Sequence, residues 1–394
     1  MLEKYFVRVS TLLGRLALVW RARKIWRKPK SAKVLIYDRC GSDVLFGYIN
    51  KDNAEILDVR GESVNIYVLL KCILAADLCG ASYVTTYIAI VSPSVIVTFI
   101  DNAPRFYELT HAGGDVRTIF LQNGWRGETS DVFGYLKHNP IHKPYQVDYM
   151  LTFGAAIGEK YREHINGQVI PVGSIRCNQC QIDKTEEPRS LGFVSQYSPP
   201  PGGSEQEYFV SVGSRRITWE MFYSSERKVV KFLADYCGEN DFVLQVCGRS
   251  LDSPGEEYEF FDKLIAGRKW EFLPRVDSCG SYKVIDRAEF VVGIDSTLIY
   301  ESLARGKRTG VLAVRSDLLS DIGAKFGWPK NLPDSGPFWT NCDDEGEFVR
   351  VLEYVTCASD AGWEKMRKEY VSDLVEYDPG NTRIRALFRK LDVQ

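Results

Sequence analysis

The chain has 394 residues, of which 45% are hydrophobic and 26% charged, and its formal net charge is −2. This is the composition of a globular protein, and the length is enough for two domains. The acidic balance excludes a basic nucleic-acid-binding surface over the body of the chain, so we expect no nucleic-acid partner.

Residues 1–30 differ from the rest of the chain because they are both apolar and cationic. They hold nine Lys or Arg residues against Glu3 alone, a net charge of +8. Most of the apolar residues before Ala22 fall on one helical face, and no uncharged run, 16–20 included, is long enough to span a bilayer. We predict a basic amphipathic helix that lies on an anionic membrane surface; the alternative is a helix packed on the protein itself.

The location of the protein is predicted from the same segment. A secretory signal is not expected, because the basic cluster follows the apolar part. We therefore expect a cytoplasmic protein that is peripheral on a membrane. The ten cysteines are then expected to be reduced thiols, and a zinc or redox role for the pair Cys177 and Cys180 is the weaker alternative.

Short apolar runs alternate with helical patterns in residues 31–178, which we assign to an N-terminal Rossmann-like domain. This order predicts a parallel sheet covered on both faces. The predicted strands are 33–37, 55–59, 95–100, 118–121, 149–153 and 168–172. In such sheets ligands bind beyond the carboxyl ends of the strands.

Carboxylates follow several of these strands. Asp101 is our first candidate for a general base or a nucleophile, although an Asx turn that caps the next helix is the alternative. Glu128, in the loop after the next strand, is the second candidate. Asp38 and Asp43 are weaker candidates for the same role.

Amides, a glycine and an arginine follow the strand at 118–121. We predict that Gln122, Asn123 and Gly124 contact a ligand, since Gly permits close approach of the backbone, although Asn-Gly is also a common turn. Arg126 suits a sugar carboxylate, and an ordinary surface arginine is the alternative. Ser174, after the last strand, is predicted to line the cleft or the hinge.

A second alternation begins after a join at about 175–190 and fills residues 190–360. Its strands are predicted at 192–195, 241–246, 270–273, 290–294 and 308–314. Gly248 and Arg249 end one of them and are candidates for contact with a nucleotide. Residues 361–394 form helices that are predicted to return to the first domain.

The stretch 291–308 reads as a strand, a tight turn and a helix. Asp295, Ser296 and Thr297 stand where the helix begins, and exposed N–H groups there suit a phosphate. Glu301 lies one turn further on the face of Thr297, where a carboxylate can accept hydrogen bonds from ribose hydroxyls. Ordinary helix capping by Ser296 or Asp295 is the alternative.

The predicted fold class is therefore α/β of GT-B type. Two doubly wound Rossmann-like domains face each other across a cleft, with the basic helix at the N-terminus.

Four stretches together resemble bacterial surface-carbohydrate biosynthesis proteins of GT-B type, relatives of transferases that use CMP-activated ulosonic acids such as Kdo or pseudaminic acid. The matching stretches are 98–102, 120–126, 170–174 and 295–306. The resemblance implies a nucleotide sugar bound mainly by the second domain, with Ser296, Thr297 and Glu301 on its phosphate and ribose. Ile299 stands where the family pattern often has Gly, and it crowds the start of the helix.

The function implied is transfer of a sugar, an ulosonic acid on a CMP donor, to a lipid-linked precursor of O-antigen or capsule. The protein would then act on the inner face of the bacterial inner membrane. No D-x-D motif or metal-ligand spacing is present, so we expect metal-independent transfer without a further cofactor. Two alternatives stay open: a nucleotide-sugar epimerase on the same fold, and a non-catalytic subunit of a polysaccharide assembly complex.

Overall fold

Two β-sheets, each covered by helices, organise the protein. The computed structural model describes residues 20–112, 116–129, 131–138, 144–212, 215–251 and 253–393. The first sheet is entirely parallel, in the order β3-β2-β5-β6-β7-β8. Its strands are β2 (Val34–Tyr37), β3 (Ala54–Leu57), β5 (Val95–Thr98), β6 (Arg117–Leu121), β7 (Tyr145–Thr152) and β8 (Ile165–Pro171).

The strand order of the first sheet reverses at β2. The chain runs from β2 out to the edge strand β3 and then returns to the other side of β2 as β5. The helices of this half are α1 (Ser42–Leu45), α2 (Ile66–Leu74), α3 (Gly80–Val91), α4 (Val132–His138), α5 (Ala155–Arg162) and α6 (Ile175–Gln179). Short 3-10 helices add Lys51–Asn53 and Pro104–Ala112.

The second sheet has the order β13-β12-β9-β14-β15-β17-β16, and only its β16–β17 pair is antiparallel. Its strands are β9 (Glu187–Val194), β12 (Val243–Cys247), β13 (Trp270–Leu273), β14 (Ala288–Gly293), β15 (Thr309–Leu312), β16 (Ser335–Gly336) and β17 (Trp339–Thr340). Here the order reverses between β9 and β14, which is where an open α/β sheet offers a crevice.

The helices of the second half cover this sheet, and the chain ends with three more. They are α7 (Trp219–Glu239), α8 (Pro254–Leu264), α9 (Gly280–Arg287), α10 (Thr297–Ala304), α11 (Ser316–Leu319), α12 (Glu345–Cys357), α13 (Asp360–Val371) and α14 (Thr382–Lys390). Pro201–Gly203 and Ile322–Ala324 are 3-10 helices. The last helix, α14, returns to the first sheet, because Ile384, Leu387 and Phe388 pack in one core with Val34 and Ile36 of β2.

Two small sheets were not foreseen from the sequence. Strand β10 (Tyr208–Val212) pairs antiparallel with β11 (Arg215–Thr218) and forms a hairpin that precedes α7. Strand β1 (Arg23–Ile25) pairs in parallel with β4 (Ser63–Asn65). Strand β1 lies in the segment that is predicted to be helical through residue 30.

That expectation is wrong for residues 23–25, which are strand, because the edge of β4 offers backbone partners to an extended chain. The remaining part of the predicted helix, residues 1–19, lies outside the described residues. None of the helices within the described ranges combines the length and hydrophobicity that crossing a membrane requires.

The expectation that every cysteine is reduced is also wrong. Cys180, in the segment between the two sheets, forms a disulfide with Cys279 at the start of α9. Cys177 stays a free, buried thiol, and burial raises the pKa of that thiol. The two cysteines of the C-x-x-C motif therefore do not pair with each other.

Arg305, at the end of α10, anchors the segment that joins the two sheets. Its Nε donates to Asp286 Oδ1 at 2.8 Å, and its Nη1 donates to the carbonyl oxygen of Cys180 at 2.9 Å. Nη2 donates to the carbonyl oxygen of Gln181 at 3.2 Å. Both charged side chains are buried, so this ion pair depends on its full set of hydrogen bonds.

We predict that Arg305→Ala lowers the free energy of unfolding by about 3–5 kcal/mol, because it leaves Asp286 as an uncompensated buried charge. The matched control is Arg308→Ala, whose partner Asp360 is exposed to solvent, and its cost is less than about 1 kcal/mol. Urea unfolding followed by circular dichroism measures both. Equal shifts in the two variants would contradict the anchoring role of Arg305.

Candidate functional site

A cavity of about 790 Å³ lies between the two domains. It is bounded by the carboxyl ends of β9, β12 and β14 from the second sheet and by the segments that follow β6 and β8 of the first. Among the predicted site residues, those that line it are Asn123, Arg126, Gly248, Arg249, Asp295, Ser296, Thr297 and Glu301. The structure therefore brings residues from both halves of the chain to one place.

The strand, turn and helix predicted at the start of α10 are present, and Ser296 has the capping role that was the alternative to phosphate binding. Ser296 is extended and caps the helix, with its hydroxyl accepting the N–H of Leu298 at 3.3 Å. Ile299, the departure from the family pattern, is fully buried. It fits because Gly293 at the end of β14 has no Cβ; a Cβ there would lie 2.4 Å from Ile299 Cδ1.

The loop after β6 contacts the first turn of α10. The Trp125 N–H donates to Thr297 Oγ1 at 3.0 Å, and the Trp125 ring stacks on Tyr300 at 3.6 Å between centroids. Gln122 does not line the cavity. Instead its side chain accepts the N–H of Phe153 at 2.8 Å and donates to the carbonyl of Gly124 at 2.9 Å, so it holds the loop in place.

Gly124 and Ser174 also stand behind the lining residues. A Cβ on Gly124 would lie 3.8 Å from Thr297 Oγ1, so the backbone of this loop is close to the helix start. Ser174 caps α6, where its hydroxyl accepts the N–H of Cys177. It also hydrogen-bonds to Glu301 in the wall of the cavity.

Glu301 is the buried carboxylate of the site. Tyr282 donates to its Oε2 at 3.1 Å. Burial raises the pKa of Glu301 to about 7, although hydrogen bonds from Ser174 and Tyr282 and the charges of nearby arginines oppose the shift. A carboxyl group with this pKa changes its charge near neutral pH.

Asp295 is held by a buried arginine that the sequence did not reveal. Arg315 is fully buried and donates from Nη1 to Asp295 Oδ1 at 2.7 Å and from Nη2 to Glu226 Oε2 at 2.8 Å. Burial raises the pKa of Glu226. Asp295 lies in the turn between β14 and α10, Arg315 follows β15, and Glu226 is on α7. Because the three residues are far apart in sequence, no local pattern could have linked them.

Gly248 and Arg249 form part of a loop that the buried Glu257 fixes. The backbone N–H of Arg249 donates to Glu257 Oε1 at 2.9 Å, and the N–H of Ser250 donates to Oε2 at 3.0 Å. The Arg249 side chain donates to the carbonyl of Gln196 at 2.8 Å and lines the cavity. The loop is therefore rigid where a ligand would meet it.

The two predicted catalytic carboxylates do not line the cavity. Asp101 is fully buried under the loop, where it accepts from Arg126 Nε at 2.6 Å, from the N–H of Asn123 at 3.2 Å and from the Tyr161 hydroxyl. Glu128 pairs with Lys160 at 3.1 Å. Arg126 is buried against Asp101, so the prediction that its guanidinium is free for a sugar carboxylate does not fit this structure.

Two arginines that the sequence did not single out do line the cavity. Arg176 follows Ser174 on α6, and its guanidinium lies 5.6 Å from the centre of the Phe99 ring. Within the described ranges Arg176 has no hydrogen-bond or ion-pair partner, and its charge lowers the pKa of Glu301. Arg275 follows β13 on the other side of the cavity. Position after a strand is a signal that could have identified both.

Asp321 joins the two domains at the rim. Its carboxylate accepts the N–H groups of Glu128 and Thr129, each at 3.1 Å, and also that of Gly323 at 2.8 Å. No cluster of three or more metal-ligating side chains occurs in the part of the chain that the structure describes.

The fold and the position of the cavity define a protein of GT-B class. A "putative UDP-N-acetylglucosamine 2-epimerase" from Listeria monocytogenes shares the fold with a TM-score of 0.50 and 10% identity, covering 90% of this chain and 94% of its own. A glycosyltransferase from Rickettsia africae aligns with a TM-score of 0.49 and 10% identity over 91% and 98% of the two chains. The wall teichoic acid polymerase TagF aligns with a TM-score of 0.44 and 9% identity, covering 91% of this chain and 88% of its own.

At 10% identity the likeness to the Listeria protein concerns the fold alone, and together with the two largely parallel sheets it confirms the GT-B fold predicted from the sequence. A family model described as "putative O-antigen biosynthesis protein" matches residues 119–392, more than half of the chain. The chain therefore belongs to this family, and the predicted resemblance to surface-carbohydrate biosynthesis proteins is confirmed at that level. No curated protein matches the sequence.

The pKa of Glu301 predicts how stability depends on pH. The pKa is raised from 4.5 to about 7 in the folded protein, so the unfolded chain releases its proton first as the pH rises. The Glu301 carboxyl group makes its full contribution to the free energy of unfolding below pH 4.5. As the pH rises from 4.5 to 7 this contribution is lost, and the free energy of unfolding falls by at most about 3 kcal/mol. The glutamine in Glu301→Gln is neutral at every pH. The free energy of unfolding of this variant, relative to that of the native protein, should therefore increase from pH 4.5 to pH 7.

Urea unfolding at several pH values measures the difference. Glu353→Gln, on the exposed side of α12, is the control and should show a constant difference from the native protein. A pH-independent difference for Glu301→Gln would show that this carboxyl group is not perturbed.

Proposed function

We propose that the protein is a glycosyltransferase that moves a sugar from a nucleotide-activated donor onto a precursor of a surface polysaccharide. The observation that carries the proposal is the convergence of anion-binding groups and one buried carboxylate in the interdomain cavity. Its volume of about 790 Å³ falls within the range of small-molecule sites. Membership of an O-antigen biosynthesis family is consistent with this role.

The second domain would hold the donor. N–H groups at the start of α10 and the hydroxyls of Ser296 and Thr297 would donate to phosphate oxygens, helped by the helix dipole. Glu301 would accept hydrogen bonds from ribose hydroxyls in its ionised form. The same donors would stabilise the negative charge that develops on the leaving nucleotide, since they are already in place before reaction.

For the donor sugar we propose an ulosonic acid linked to CMP, as the four sequence stretches imply. An arginine that has no hydrogen-bond or ion-pair partner among the described residues supports a donor that carries a carboxylate, because guanidinium binds carboxylate with two parallel hydrogen bonds. Arg176 takes this role in the proposal in place of Arg126, and Arg275 and Arg249 supply further positive charge around the cavity. With these cations present the transfer is proposed to be independent of metal.

We propose that Asp101 positions other residues of the site and does not itself react. It orients Arg126 and Asn123, both of which line the cavity, and a fully buried carboxylate with these partners is a poor general base. Glu128, which follows Arg126 in the same loop and pairs with Lys160, stays the second candidate for a reacting carboxylate. The acceptor is proposed to be a lipid-linked glycan bound by the first domain, with the basic N-terminal segment on the anionic membrane surface.

Calorimetry with CMP and with UDP tests the donor site. We expect CMP to bind, and Thr297→Val to weaken binding about tenfold, because it removes a hydroxyl that would donate to phosphate and that also accepts the Trp125 N–H. Binding should strengthen from about pH 6 to about pH 8 as Glu301 ionises, and Glu301→Gln should abolish that dependence.

The control is Thr85→Val, an exposed threonine on α3 remote from the cavity, which should bind as the native protein does. Tight binding of UDP without binding of CMP would remove the ulosonic acid from the proposal. Binding of neither nucleotide would remove the donor site.

Mass spectrometry of reaction products tests the activity. The protein is incubated with a panel of CMP-sugars and with lipid-linked glycan extracted from cells, and we expect the glycan to gain one sugar residue. Release of a free isomer of the sugar without acceptor would identify an epimerase instead. No product, together with unimpaired glycan synthesis in cells that carry Thr297→Val, would favour a non-catalytic subunit.

A further inference from the structure

Helix α2 exposes apolar side chains on the outer face of the first domain. Val68 and Cys72 are buried, whereas Leu70, Ile73 and Leu74 are 50%, 48% and 86% exposed. Leu78, in the turn that follows, is 60% exposed. Exposed leucines are common singly, but a helix face made of them marks a contact with something apolar.

The basic segment lies directly beside this helix. Strand β1 pairs in parallel with β4, and β4 ends at Asn65, the residue before α2 begins. The two tryptophans that flank β1, Trp20 and Trp26, are 83% and 73% exposed. The β1–β4 pairing therefore brings the segment that carries the two tryptophans next to the start of α2, although the exposed leucines lie more than 40 residues further along the chain.

Positive charge is concentrated at the same place. Residues 20–30 contain six Lys or Arg residues and no acid, although the whole chain carries −2. Arg21, Arg23, Lys24 and Lys28 are exposed, and Lys71 lies on α2 itself. Residues 31–394 together carry a net charge of −10, so the positive charge of residues 20–30 contrasts with the rest of the chain.

We propose that the apolar-basic surface, formed by residues 20–30 and the outer face of α2 with Leu78, docks on an anionic lipid bilayer. Leucine side chains would enter the boundary between headgroups and acyl chains, and indoles prefer this depth. Lysine and arginine side chains would contact anionic headgroups.

A protein partner or a second copy of this chain is a weaker match for the surface. The acidic body of a second copy would attract this basic surface. However, protein interfaces are depleted of lysine, and this surface contains Lys24, Lys28 and Lys71. The inference rests on the proposed function, which needs a membrane-bound acceptor. The inference goes beyond the proposed function because it assigns the membrane contact to a surface of the folded domain rather than to residues 1–19 alone.

Vesicle flotation tests the surface with the full-length protein. Vesicles of phosphatidylglycerol and phosphatidylcholine are compared with vesicles of phosphatidylcholine alone. We expect binding to the anionic vesicles that falls with salt, and we expect Leu70→Ser with Leu74→Ser to reduce the partition coefficient roughly tenfold through lost apolar contact. Both leucines are exposed, so the double variant keeps the core.

Two controls make the result specific. Val349→Ser, on the exposed face of α12 in the second domain, should bind vesicles as the native protein does. Thr297→Val, which tests the nucleotide site, should also bind vesicles normally, so failure of the donor proposal and failure of this one are separable.

Unchanged vesicle binding by the leucine variant would overturn the assignment to α2. A change in the sedimentation coefficient of that variant without vesicles would also overturn it, because it would show that α2 is an interface between copies of the chain. Equal binding to neutral and anionic vesicles would remove the role of the cations.

Discussion

The contact between the loop after β6 and the first turn of α10 joins the two domains beside the cavity. The backbone N–H of Trp125 donates to the Thr297 hydroxyl, the Trp125 ring stacks on Tyr300, and the Asp321 carboxylate accepts backbone N–H groups of the same loop at the rim. Each group in this contact is positioned by its own sheet. All four residues line the cavity, so the arrangement of its two walls rests on these few interactions.

Buried charge is the second constraint on the site. Arg315 and Glu226 form a pair with no exposed surface, and Arg305 holds Asp286 under the segment between the domains. Such pairs contribute little net stability, but removing one partner leaves the other charge unpaired in the interior. Arg315 also holds Asp295, which lines the cavity, so this buried pair helps to position one wall of the site before a ligand arrives.

Residues near each other in sequence were the ones whose roles could be predicted. The strand, turn and helix at 291–304 were visible because apolar runs, a capping serine and helical spacing lie within fifteen residues. Asp101 also stood out, since a carboxylate after a buried strand is a common site residue. Its burial under Arg126 and Tyr161 could not be seen, because those partners lie 25 and 60 residues further along the chain.

By itself the sequence determined the two α/β domains, the segment that joins them and the helix start at Ser296, since alternation of apolar runs and helix capping are local properties. Only the tertiary structure decided which side chains face the cavity. It placed Arg176 there and turned Glu128 towards Lys160, it joined Cys180 to Cys279, and it set β1 beside α2. The physical reason is that a buried polar group takes whichever partner the fold brings within reach, and the sequence does not show that partner.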